Sequence, residues 1–322
     1  MPYDESHSPA RRPTTRRVLT VAVAALVPGA FAGWLVWQAT GGPGGEATAR
    51  GTGAATAPAD TASPESGAPA PSAPTGDDAP GDGRPAPGEG PLAGRIVVID
   101  PGHNPGNFQH TAEINKLVDI GTHRKECDTT GTAGNGSGGG NGSGAAYTEA
   151  EFTIDVSQRL RTLLRKEGAT VKLTHDNDRA WGPCVDERAK IGNNARADAV
   201  ISIHADGSAA GNRGFHVILP ALVKSGGADT TKIVAPSRAL GERVAGNFAR
   251  TTGSSPSNYL GDDTGLDVRD DLGGLNLSTV PKVFVECGNM RDSKDIAQLT
   301  DAGWRQKAAQ GMADGISGFL LR

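Results

Sequence analysis

Two of the seven histidines stand where a β-sheet would deliver them to one edge. Asp100-Pro101-Gly102-His103 closes an apolar run that begins at Ile96, and Ser202-Ile203-His204-Ala205-Asp206 closes another that begins at Ala199. In an open α/β sheet ligands gather outside the carboxyl ends of the strands, which makes both imidazoles candidate metal ligands. One histidine at such a place is more often a plain hydrogen-bonding residue; a pair makes a metal the sharper reading. Glu149 starts a helix and joins them if that helix packs back on the sheet. Two imidazoles and one carboxylate leave the fourth position of tetrahedral zinc open, as in a hydrolytic site. Glu286 ends the run Val283-Phe284-Val285, where a carboxylate is costly to bury without a task. It is either a general base that takes a proton from metal-activated water, or the ion-pair partner of Arg188 or Arg269.

The elements that hold these residues can be read from hydrophobic period. Short β-branched runs at 96–100, 170–174, 199–204, 214–219 and 282–286 alternate with helical stretches. This predicts an α/β fold, a mostly parallel twisted sheet covered by helices on both faces of a single catalytic domain. Phe152, Val156, Leu160, Leu163 and Leu164 recur at the spacing of one buried helix face. Thr148 and Glu151 form a capping box that starts this helix near Glu149. Further helices are predicted over 185–196, 237–251 and 304–321. Residues 104–147 make a long polar connection, well beyond a usual strand-to-helix loop, and its Gly-rich end at 131–144 reads as flexible.

The opening ninety residues predict an address rather than a core. Residues 1–17 contain Arg11, Arg12, Arg16 and Arg17 and are expected to stay in the cytoplasm. The uncharged run at 18–39 is a signal anchor, or a signal peptide cut after the small-x-small form Ala30-Phe31-Ala32. Arg16-Arg17-Val18-Leu19 also faintly resembles a twin-arginine signal. Residues 40–91, rich in Pro, Ala and Gly, read as a disordered linker. Every version exports the domain at 92–322, held to the membrane by its N-terminal segment or released. A net charge of −4 and the lack of a Lys/Arg stripe with interleaved aromatics exclude nucleic acid as a partner, and a monomer is expected. On the exported side disulfides persist. Cys127 and Cys184 lie in polar, loop-like sequence and are paired; Cys287 follows an apolar run and is expected to be buried and reduced.

Asp-Pro-Gly-His at 100–103, the Glu149 helix start, Glu187-Arg188-Ala189 with Asn194, Ser-Ile-His-Ala-Asp at 202–206 and Val-Glu-Cys-Gly-Asn-Met at 285–290 occur in that order. Together they resemble the zinc N-acetylmuramoyl-L-alanine amidases of the amidase-3 type, in their exported actinobacterial branch. The resemblance implies zinc held by His103, Glu149 and His204, with Glu286 as the catalytic carboxylate and peptidoglycan or muropeptides as substrate. Glu151, Glu113 and Glu126 stay open as rivals of Glu149. The resemblance also supports the Cys127–Cys184 pair. Asp100 is expected to orient His103 or the turn before it, since ligating histidines need such support. Arg188 is expected beside the site. His216, leaving a neighbouring strand, is a substrate hydrogen-bonding candidate, with a structural role the plainer reading; His110, His123 and His175 are not carried over. The alternatives are a catalytically silent wall-binding homologue and a zinc peptidase cutting within the stem peptide.

Overall fold

The computed structural model describes residues 89–134 and 146–322. The calls on 1–17, on the anchor or signal peptide at 18–39, and on the linker up to residue 88 fall outside them, as does most of the Gly-rich stretch. No helix among the described residues is long and apolar enough to cross a membrane.

Six strands form the central sheet: β1 (Ile96–Pro101), β2 (Thr170–Leu173), β3 (Ala199–Asp206), β4 (His216–Pro220), β5 (Leu266–Arg269) and β6 (Lys282–Asn289). Their order is β2-β1-β3-β6-β4-β5. Neighbours run parallel except at β6–β4, so β4 and β5 point opposite to the rest of a mostly parallel sheet. Strand β5 was not foreseen; it is short, at the edge, and interrupted by Asp267 and Arg269.

Alternation along the strands divides two tasks between two faces. Val97, Ile99, Ile201, Ile203, Val217, Val283 and Val285 point into one large core. There they meet α1 (Glu149–Lys166), α3 (Val234–Thr252) and α6 (Ala302–Leu320) through Phe152, Leu160, Phe248 and Ile316. Each such side chain, fully buried, contributes about 1.5–3 kcal/mol. The opposite face begins with a small cluster of Val98 and Val200 under the end of α2 (Val185–Asn194). Two residues further along each strand the same face carries Asp100 and Ser202, and the register sets Lys282, Phe284 and Glu286 beside Val200, Ser202 and His204. Helices therefore cover both faces, three long ones over the core and α2 over the polar side.

Helix starts follow local chemistry. Thr148 accepts from the Glu151 N–H, and the Glu151 carboxylate accepts from the Thr148 N–H at 2.9 Å, completing the capping box. Helix α3 begins three residues before its predicted start and runs through Pro236, which the first turn tolerates because the missing N–H has no intrahelical partner there. Asp301 caps α6 by accepting from the Trp304 N–H at 2.6 Å.

The long connection after β1 has structure of its own: a helical turn at Thr111–Ile114 and a hairpin of Leu117–Asp119 with Arg124–Glu126. A Cys127–Cys184 disulfide ties the hairpin's end to the first turn of α2, while Cys287 is free and buried. The bond closes a sequence separation of 57 residues. In the chain-entropy model that constraint is worth up to about 4 kcal/mol. Replacing both cysteines with serine is expected to lower the denaturant midpoint accordingly and to expose the hairpin to hydrogen exchange. Equal midpoints for the oxidised wild type and the double variant would mean that the hairpin is held without the bridge.

Candidate functional site

The turn after β1 is shaped by two backbone requirements. His103 occupies the left-handed region at φ +59°, unusual for a non-glycine residue, which aims its ring back over the sheet edge. A Cβ at Gly102 would lie 2.3 Å from the His204 ring, so glycine is what lets the turn and the ring approach. His204, near the end of β3, lies stacked on Phe284 with ring centroids 5.3 Å apart. Glu149 enters from the first turn of α1, almost fully buried.

These three side chains converge. Glu149 Oε1 lies 3.3 Å from His103 Nε2 and 3.0 Å from His204 Nδ1, and the rings stand edge to face with centroids 5.0 Å apart. One donor atom from each falls within 4.8 Å of the others. Glu149 also accepts from the N–H of Thr132 at 2.8 Å and of Ala205 at 3.2 Å. The rival glutamates are placed elsewhere: Glu151 serves the helix cap, Glu113 pairs with His110, and Glu126 sits on the hairpin. Burial works against charge on His103, but the carboxylates of Glu149 and Asp128 outweigh it and hold the ring well above the usual histidine range. Burial likewise raises Glu149, and the two imidazoles more than reverse this, keeping it an anion.

Behind the cluster lies a buried ionic network that includes Asp128 and Lys282, two residues with no local sign of such a place in the sequence. Asp128 Oδ1 lies 3.2 Å from His103 Nδ1, which leaves Nε2 facing Glu149. Arg188 donates to Asp128 at 2.9 Å, to Asp100 at 2.8 Å and to the carbonyl oxygens of Pro101 and Pro183. Asp100 accepts in addition from Thr174, Ser202 and Lys282 at 2.7, 2.9 and 3.0 Å. Asp100 thus supports the turn through Arg188, and the carboxylate on the His103 ring is Asp128. Burial alone would raise both acids; the Arg188 and Lys282 charges at Asp100, and Arg188 at Asp128, hold them far below the carboxylate range.

Glu286 sits on β6 beside His204, half-buried, with Oε2 enclosed and without a hydrogen-bond partner. Neither expected arginine pairs with it: Arg188 is held by Asp100 and Asp128, and Arg269 by Asp271. Burial, with Glu149 and Asp206 nearby, pushes its carboxyl well above the usual range. His216 faces Glu286 across the β4–β6 pair but stays outside the His–Glu–His cluster. It is buried, edge-on to Tyr259, whose hydroxyl donates to Asp206 at 2.6 Å; burial lowers its pKa and keeps it neutral.

The cluster opens into a cleft with two lobes that share His103, Thr129, His204, Leu272 and Phe284. One, of about 330 Å³, is the more polar of the two and contains Glu149, Asp206, Arg269 and Glu286. The other, of about 170 Å³, is mostly apolar and reaches Lys125 and Val185. Two imidazole nitrogens and a carboxylate oxygen, with one ring fixed from behind by Asp128, are a donor set that fits a zinc ion and leaves one side open to the cleft.

Known proteins carry the same framework. Among curated relatives, N-acetylmuramoyl-L-alanine amidase Rv3717 of Mycobacterium tuberculosis is 39% identical over 230 residues, covering 71% of this chain and 88% of that protein. Among solved structures, the N-acetylmuramyl-L-alanine amidase Ami1 of Mycobacterium smegmatis superposes with a TM-score of 0.62 at 38% identity, over 71% of this chain and 98% of that one. Ami1 of Mycobacterium abscessus gives 0.61 at 38% identity, over 70% and 99%. The family model Amidase_3, described as N-acetylmuramoyl-L-alanine amidase, matches residues 97–318, from β1 into α6, and on that span and those identities the chain belongs to this amidase family.

Proposed function

We propose that this chain hydrolyses the amide bond between N-acetylmuramic acid and L-alanine in peptidoglycan, with zinc held by His103, Glu149 and His204. The observation that carries this is Glu286, its Oε2 enclosed and without a hydrogen-bond partner, in one cleft with the three convergent donors, in a chain of the amidase family. A zinc ion held there supplies Lewis acidity, polarising a carbonyl and lowering the pKa of water to about 7. Glu286 takes the proton from the attacking water and returns it to the departing amine of L-alanine. Asp128 keeps the His103 ring in register, and Ser202 Oγ, 3.3 Å from His204 Nε2, meets that ring at the nitrogen away from Glu149. The reaction takes place outside the cytoplasmic membrane, with residues 18–39 as anchor or cleaved signal; the disulfide and the basic residues ahead of that run support this.

Digestion of purified muropeptides is expected to yield a free sugar moiety and peptides with N-terminal L-alanine. The domain should bind one zinc per chain, lost in the His103→Ala, His204→Ala double variant. Fragments cut inside the stem would make the chain a zinc peptidase. Binding without any cleavage would make it a silent homologue, and equal zinc in both proteins would remove the metal from these residues.

A further inference from the structure

We infer that Arg269 selects stem peptides whose second residue, a D-glutamate joined through its side-chain carboxyl, keeps its α-carboxylate free rather than amidated. The inference rests on the amidase reading and extends it to the part of the substrate that leaves. The two lobes of the cleft share the His103 and His204 rings, but Glu286 lines only the polar one. The group that returns a proton to the amine must lie within hydrogen-bond reach of it. The amine nitrogen, and the peptide that continues from it, therefore occupy the lobe of Glu286.

That lobe is acidic apart from its histidines: Glu149, Asp206 and Glu286 all line it. Arg269 is its one Lys or Arg among the described residues, close enough to Glu286 for each charge to act on the other. Asp271 grips one edge of the guanidinium, at 2.8 Å to Nε and 2.7 Å to Nη2, and leaves Nη1 without a protein acceptor among the described residues. Asp271 does not cancel the charge, because Lys125 approaches the same carboxylate at 3.6 Å and the trio keeps a net positive charge. A planar fork fixed along one edge and free on the other suits a carboxylate. The α-carboxylate of the second stem residue is the first anion met along the peptide from the scissile amide.

The test uses two N-acetylmuramoyl tripeptides that differ only in whether that α-group is carboxylate or carboxamide. The wild-type domain is expected to favour the carboxylate by about tenfold in kcat/KM, the scale of one charge-assisted hydrogen bond, chiefly through KM. Arg269→Gln should bring the ratio close to one by losing the carboxylate substrate's advantage; the lost charge beside Glu286 acts on turnover of both tripeptides alike and cancels in the ratio, and zinc content should stay unchanged. Added salt should shrink the wild-type ratio. Cleavage of both tripeptides at equal efficiency by the wild type, or a preference that survives in Arg269→Gln, overturns this inference and leaves the amidase reading intact. Cleavage of neither overturns the amidase reading and this one with it.

Discussion

Glu286→Gln is expected to lower muropeptide turnover by about 10²-fold or more with zinc content unchanged, because the amide keeps the shape of the side chain and removes its proton exchange. The same change has a signature in stability that a glutamate held in an ion pair would not show. Burial and the neighbouring carboxylates raise the Glu286 carboxyl in the folded chain above its unfolded value. Between those two values the folded state holds a proton that the unfolded state has released, so stability falls as pH rises through that window. Glutamine has no proton to hold. The metal-free variant should therefore match wild type below about pH 4, the ordinary range for glutamate, and gain on it steadily as pH rises. Zinc, by supplying positive charge, should narrow the gap. Denaturant midpoints across pH, with and without metal, would measure it. A constant difference across pH would place Glu286 in a different setting, and near-wild-type turnover would remove it from the chemistry.

Arg188→Met is expected to cost about 3–5 kcal/mol, the penalty of stranding buried charge by removing its partner. Arg188 is almost fully buried and bridges Asp100 and Asp128, both of which rely on it to stay ionised. Methionine fills much of the volume and supplies none of the four hydrogen bonds. Depressed carboxylate pKa values mean that the wild-type pairs give full stability above the unfolded aspartate value and lose it as pH falls through the lower folded one. In the variant the stranded acids can take protons at milder acidity, so its deficit should be smaller at pH 5 than at pH 8. Asp128 would also lose its hold on His103, and zinc affinity should drop by about tenfold or more. Lys190→Met, on the same helix and exposed, serves as the control with little effect. An Arg188 variant no less stable than that control would show that Lys282 and the hydroxyls of Thr174 and Ser202 suffice for Asp100.

Much of this was legible in the sequence because hydrophobic period and capping chemistry are local. The runs ending at His103, His204 and Glu286 became strands, and Thr148 with Glu151 set the start of α1; occupying Glu151 in the cap is also what leaves Glu149 to turn inward. What was missed is non-local. Asp128 lies next to a cysteine in polar sequence, and only the folded hairpin brings it to a ring 25 residues away. A signal existed, since a ligating histidine asks for a carboxylate behind it, but Asp100 was nearer in sequence and drew the assignment. Lys282 opens an apolar strand and looks like a solvated end until its Nζ is found on Asp100, 182 residues away. The ion pairs offered to Glu286 failed because both arginines had better partners across the fold.

The division of the sheet into a greasy side and a reactive side has a consequence for how such a chain can change. Neighbouring residues on β3 serve opposite sides: Ile203 fills the core and His204 meets Glu149. Deleting or adding one residue inside that strand would not shift the chemistry a little; it would exchange the two sides, sending an imidazole into oil and an isoleucine into the cleft. The strands are thus a reading frame, in which single-letter slips are nonsense. Variation in length is left to the connections that hang from the sheet's edge, such as the 104–147 segment, where residues can be added without changing which way the next strand faces.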